Sequence, residues 1–199
     1  MLQNSASINS QVQSVVANPV ELPLLTKSAV DPYVSLLQRF LVVYGHLKSV
    51  AGTNSVDGVF DSKTLNAVAE FQRFHNVQPD GQVGAITWYA IAHPNAKTPQ
   101  SLTPIANVRS TLPNLQNGNY GPLVTVLQRL LTIYSQAANK YIPGEPLPEA
   151  FVDGDFGKNT EAVVRRFQEA RKSVYPALLV TGIVDALTWD ALVYPKGKN

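Results

Sequence analysis

A chain of 199 residues without cysteine holds no disulfide, no thiolate nucleophile and no thiolate metal ligand. Its formal net charge of +2, with no block of like charges, is too small to mark a nucleic-acid or anionic-membrane partner. Hydrophobic residues make up 45%, as in a globular protein, and no apolar run reaches the roughly 18–20 residues that span a bilayer.

Residues 1–20 are rich in Ser, Asn and Gln and read as a flexible arm. They contain no Lys or Arg and no continuous apolar core, so they do not read as a secretion signal. Asp31-Pro32 opens the first predicted helix, with Asp as N-cap and Pro at the first helical position. Val34, Leu37, Leu41 and Tyr44 follow at spacings of three, four and three, on one helical face. Asp57-Gly58-Val59-Phe60 reads as a turn. Gly58 there takes a backbone conformation closed to other residues, and the Asp57 carboxylate folds back onto backbone N–H groups. A second helix is expected from about 61 to 75, with Ala67, Val68, Phe71 and Phe74 as its apolar stripe. After Asp80-Gly81 a short third helix is expected over 87–92, with Trp88 and Ile91 on its apolar side and Pro94 beyond its end. Residues 94–110, rich in Pro, Thr, Ser, Asn and Ala, predict a linker.

The pattern then starts again. Leu112-Pro113, Pro122, Val124, Leu127-Gln128, Leu131 and Tyr134 match residues 90 positions earlier. Asp153 matches Asp57 at an offset of 96, and Gly182 matches Gly81 at an offset of 101. Phe71 follows Asp57 by 14 residues and Phe167 follows Asp153 by the same 14; the chain's two Trp, Trp88 and Trp189, occupy equivalent places. An internal repeat dictates architecture. The changes of offset place insertions near 140–150 and 172–179, which must be loops. The expected organisation is all-α: two three-helix units, 21–93 and 111–195, joined by the linker and ended by a tail at 196–199. Asp185 is the expected N-cap of the last helix. Phe60, Phe71, Phe156, Phe167 and both Trp read as core, because one large aromatic is much of the core in so small a unit.

The ordered set Leu-Gln, Asp-Gly-x-Phe, Thr, Ala-Val, Phe-Gln, Asp-Gly-x-x-Gly, Thr-Trp resembles the peptidoglycan-binding domain found at the ends of many bacterial and phage cell-wall hydrolases. The resemblance covers about 22–93 and 112–194. It implies a compact three-helix unit and non-catalytic binding of bacterial cell wall. Copy one departs at Asp61, where the family usually has Gly; copy two departs at Thr181 and Asp185, where Asp and Gly are usual.

On this resemblance the candidate ligand-binding residues are Asp57, Phe60, Gln72, Arg73, Asp80, Trp88 and Tyr89 in the first copy. In the second copy they are Asp153, Phe156, Arg165, Arg166, Gln168 and Trp189. Two readings stand for the motif residues: they specify the fold, or they also line a groove. Gln72 and Gln168, with Gln38 and Gln128, either bond loop backbone or face a polar ligand. A glycan strand wants exposed aromatic faces, for which Tyr89, Tyr44, Tyr134 and Tyr175 are candidates. Stem-peptide carboxylates want Arg, here Arg73, Arg165 or Arg166. Two weak sites on one polymer gain about 10²–10⁴ in avidity where both engage.

No catalytic apparatus is legible. His46, His75 and His93 lack the carboxylate spacing of zinc peptidases. There is no Gly-x-Ser-x-Gly and no Ser-x-x-Lys. The one acid at a motif position in both copies is the turn Asp, a turn former, so no glycosidase pair is apparent. No metal and no cofactor are expected. The expected partner is peptidoglycan, with a separate cell-wall hydrolase beside it, and the expected place is the cell wall, reached by lysis or another route. The rival readings are a protein-interaction or structural module that keeps the fold, and a phage lysis-associated wall-targeting protein.

Overall fold

The computed structural model of the chain describes residues 22–48, 55–98, 112–136 and 141–197. The expected arm at 1–20 lies outside the described residues, as does the expected linker from 99 onward. The described part is all-helical: α1 Pro32–Val43, α2 Ser62–Phe74, α3 Ala85–Ala92, α4 Pro122–Ser135, α5 Lys158–Arg171 and α6 Ala186–Val193. Helices α1–α3 form the first repeat and α4–α6 the second. A 3-10 turn, Glu149–Phe151, lies in the first insertion.

Local chemistry sets these boundaries. The Asp31 carboxylate accepts from Tyr33 N at 2.7 Å and Pro32 starts α1. Its counterpart before α4 is Gly121, with φ 109° and no side-chain cap. Asp61 accepts from Thr64 N at 2.8 Å to cap α2, where α5 has Gly157 and no such bond. Asp185 accepts from Thr188 N at 2.8 Å to cap α6, where α3 has Gly84. Asp61 and Asp185, two of the departures from the family pattern, are therefore helix caps, each contributing about 1 kcal/mol.

The apolar faces of all six helices meet in one continuous core. Val34, Leu37, Leu41, Val68, Phe71, Val124, Leu127, Leu131, Val164 and Phe167 are buried in it, as the periodicity predicts. Phe74 is the exception. It is the last residue of α2 and is 73% exposed, its ring edge-on to His46 and His75. The helix ends there, so the face that carries Phe71 inward has nothing left to cover Phe74.

The two repeats pack on each other in a reciprocal way: α3 lies against α4, and α1 against α6. Arg39 of α1 and Arg129 of α4 hold equivalent positions in the two repeats, and each reaches across. Arg39 Nε donates to the Tyr134 hydroxyl at 2.7 Å. Arg129 Nε donates to the Ala92 carbonyl, and its Nη1 donates to Glu149 Oε2 at 2.8 Å. Isolated antiparallel bridges recur in matching pairs: Leu25 with Val83 and Leu115 with Val184, then Val30 with Val59 and Tyr120 with Asp155.

Candidate functional site

The repeated glutamines brace the turns. Gln38 Nε2 donates to Asp57 Oδ1 at 2.8 Å, to the Val59 carbonyl and to Thr64 Oγ1, while its Oε1 accepts from Asp57 N and Gly58 N. Gln128 repeats the arrangement on Asp153, Asp155, Thr160 and Gly154. Gln72 Nε2 donates to Asp80 Oδ1, to the Gln82 carbonyl at 2.7 Å and to Thr87 Oγ1, and Gly81 N donates back to Oε1. Gln168 does the same with Ile183, Thr188 and Gly182. Every polar atom of these buried amides has a partner within its own repeat, as the low dielectric around them demands.

The turn aspartates cap their own turns: Asp57 Oδ1 accepts from Val59 N, Asp80 Oδ1 from Gln82 N and Asp153 Oδ1 from Asp155 N. Gly58 and Gly154 sit at φ +76° and +80°, where a side chain is strained. Phe60 and Phe156 are buried. Trp88 and Trp189 are 2% exposed, and their indole N–H groups donate to the carbonyls of Pro23 and Pro113, both at 2.8 Å. Of the candidate arginines, Arg73 stands exposed on α2. Arg165 is held by Glu161 and the Val180 carbonyl, and Arg166 by the Pro143 carbonyl. The hydroxyls of Tyr44, Tyr134 and Tyr175 donate to the backbone carbonyls of Ile91, Leu192 and Tyr194. Burial, and after it the nearby Asp190 carboxylate, pushes the Tyr175 phenol up to about 12.

Three of the candidate residues converge on a cleft of about 490 Å³ between the repeats. The first repeat contributes Trp88, Tyr89 and His93 of α3 and its end, over a floor of Leu22, Ala85 and Ala92. The second contributes Tyr120, Thr125 and the Asp153-Gly154-Asp155 turn. The rings of Tyr89 and His93 touch at a tilt of 39°, with centroids 4.6 Å apart. Burial, followed by the positive charge of Arg129, lowers the pKa of His93 and favours its neutral form. Among the described residues no Lys or Arg lines the cleft. A second hollow of about 510 Å³, at Phe74 and His75, has the 94–98 segment as its other wall and contains no motif residue from the second repeat.

Sequence reasoning singled out Trp88, Tyr89 and Asp153 of this cleft, and did not single out His93, Tyr120, Thr125 or Asp155 as ligand-binding residues. The signal was available: at Tyr89, His93, Tyr120 and Asp155 the two copies differ in chemistry, where their bracing glutamines, turn glycines and tryptophans agree. Among the described residues no group of His, Cys, Asp or Glu is placed to hold a metal ion. No helix among them is long and apolar enough to cross a membrane.

The model of the peptidoglycan binding domain family matches this chain twice, at residues 30–91 and 120–192. The chain belongs to that family. Its matches are the two halves just described, each holding three helices. Among curated proteins, the chain is 29% identical over 153 residues to the N-acetylmuramoyl-L-alanine amidase CwlL of Bacillus licheniformis, covering 73% of this chain and 39% of the amidase. It is 42% identical over 50 residues to an uncharacterized protein from the bpoA1 3' region of Kitasatospora aureofaciens, covering 25% of this chain and 40% of that one. The chain thus spans about two fifths of the length of these relatives. No solved structure matches it.

Proposed function

We propose that this chain binds bacterial cell-wall peptidoglycan without hydrolysing it, through a docked pair of three-helix domains spanning 21–93 and 111–195. The observation that carries the reading is the double family match on two halves whose motif residues brace turns and helices. Those residues hold the scaffold, and no nucleophile–base pair or metal cluster stands among the described residues of the cleft. The likeness to an amidase fits a targeting role: this chain holds the wall on which a separate hydrolase acts. Its place is then the cell wall.

Purified sacculi test both halves of this statement. The protein sediments with them, while suspension turbidity and released reducing ends and amino groups stay at the protein-free level. Turbidity that falls with added protein overturns the non-catalytic half. Folded protein left in the supernatant overturns the binding half.

A further inference from the structure

Because the repeats dock reciprocally, the α3–α4 junction has a counterpart at the α6–α1 junction. The first junction gathers Tyr89, His93, Tyr120, Thr125 and Asp155 around the cleft. The equivalent residues at the second are Asp190, Tyr194, Val30, Ser35 and Val59. The repeats share their bracing glutamines, turn glycines and tryptophans, yet differ at all five of these positions. At the second junction the Tyr194 hydroxyl lies 3.2 Å from Ser35 Oγ, spanning the place where His93 leaves the first junction open. The exposed bridge pair Val30–Val59 offers only methyl groups where Tyr120–Asp155 offers a ring and a carboxylate.

We propose that the α3–α4 cleft is a single composite site for an uncharged glycan-strand segment, built half from each repeat, and that its counterpart at the α6–α1 junction is closed. This rests on the wall-binding reading and names the moiety and the place. Sugar rings present C–H faces that pack on aromatic rings, and Tyr89 and the 39%-exposed Tyr120 supply two. Sugar hydroxyls and N-acetyl amides present donors, and the exposed Asp155 carboxylate is engaged in no ion pair among the described residues. Thr125 donates its own hydroxyl hydrogen to the Gly121 carbonyl and so keeps its oxygen free to accept. The cleft volume falls within the range of about 300–1,000 Å³ usual for small-ligand sites. Charge decides against the other wall moiety. Stem-peptide carboxylates entering here meet Asp153 and Asp155 and, among the described residues, no Lys or Arg.

The test uses the full chain, purified sacculi, and two soluble competitors: the uncharged tetramer of N-acetylglucosamine and a free stem peptide. The tetramer is expected to displace the wild-type protein from sacculi and the peptide to leave it bound. Asp155→Asn and Tyr89→Ala are each expected to weaken sedimentation about tenfold, and Val59→Ala, at the closed junction, to leave it unchanged. Circular dichroism melts confirm that each variant is folded, and Asp155→Asn, exposed and isosteric, keeps the test decisive if Tyr89→Ala is not. Wild-type affinity in Asp155→Asn, or displacement by the peptide and not the tetramer, overturns the site. Failure of the wild type to sediment at all instead removes the wall-binding reading, and this proposal with it.

Discussion

Arg39 and Tyr134, 95 residues apart, join the two repeats: the guanidinium Nε donates to the phenol oxygen at 2.7 Å, and the guanidinium carbon lies 5.4 Å from the ring centroid. The same phenol donates to the Leu192 carbonyl at 2.6 Å, so one hydroxyl ties α1, α4 and the end of α6 together. A hydrogen bond from a charged donor is worth about 1.5–3 kcal/mol. Arg39→Ala should therefore lower unfolding free energy by about that amount in urea titration. Tyr134→Phe, which also leaves the buried Leu192 carbonyl without its partner, should cost at least as much.

Replacing a bracing glutamine removes partners from several buried groups at once. Gln72→Ala orphans the Gly81 N–H, takes away the donor to Thr87 Oγ1 and to the Gln82 carbonyl, and cuts the tie to Asp80. Each buried group left unsatisfied costs about 1–3 kcal/mol. A loss of about 2 kcal/mol or more is expected for Gln72→Ala and for Gln168→Ala, read from thermal melts. A substitution at exposed Arg73 one residue away should stay within about 0.5 kcal/mol.

The turn glycines separate backbone strain from crowding. Gly45 and Gly154 share φ near +80°, but a Cβ at Gly45 meets open space, while at Gly154 it lies 2.9 Å from Thr125 Oγ1. Gly45→Ala should cost only the left-handed conformation, about 1–2 kcal/mol. Gly154→Ala should cost more, because Thr125 must also give up its bond to the Gly121 carbonyl. Equal melting shifts for the two would refute the crowding argument.

Burial is the leading cause that lowers the pKa of both His75 and His93, with His46 and Arg129 as the next contributors respectively. A histidine whose folded pKa is depressed binds fewer protons folded than unfolded. Its contribution to stability is complete above the unfolded value, about 6.5, and is lost as pH falls through that value toward the folded one. Stability should fall as pH drops below about 6.5, and replacing both residues by Gln should flatten that first step. Asp61 and Glu149, held low by the Thr64 N–H and by Arg129 respectively, should produce a further fall as pH drops through the ordinary carboxylate range, about 4, toward their lower folded values.

The helices were readable because their signals are local. Asp31-Pro32 caps one helix within three residues, and the spacing Val34, Leu37, Leu41 repeats one turn at a time. The duplication doubled each signal, so a match such as Leu37-Gln38 with Leu127-Gln128 carried more weight than either alone. Phe74 was misplaced because periodicity continues past the point where its neighbours stop covering it. The cleft was only partly readable because docking sets it. Arg39 meets Tyr134, and Tyr89 comes to line one cleft with Asp155, through packing between repeats that no short-range pattern encodes. Asp61 and Asp185 read as departures from a family pattern until their capping bonds to Thr64 and Thr188 explained them.

The most direct measurement is a binding isotherm of the full chain on purified sacculi, at low and at moderate salt. The expected result is saturable binding that changes little with salt, because no Lys or Arg is among the described residues lining the cleft and the net charge is only +2. A correctly folded chain that stays in the supernatant at both salt concentrations would contradict peptidoglycan binding outright.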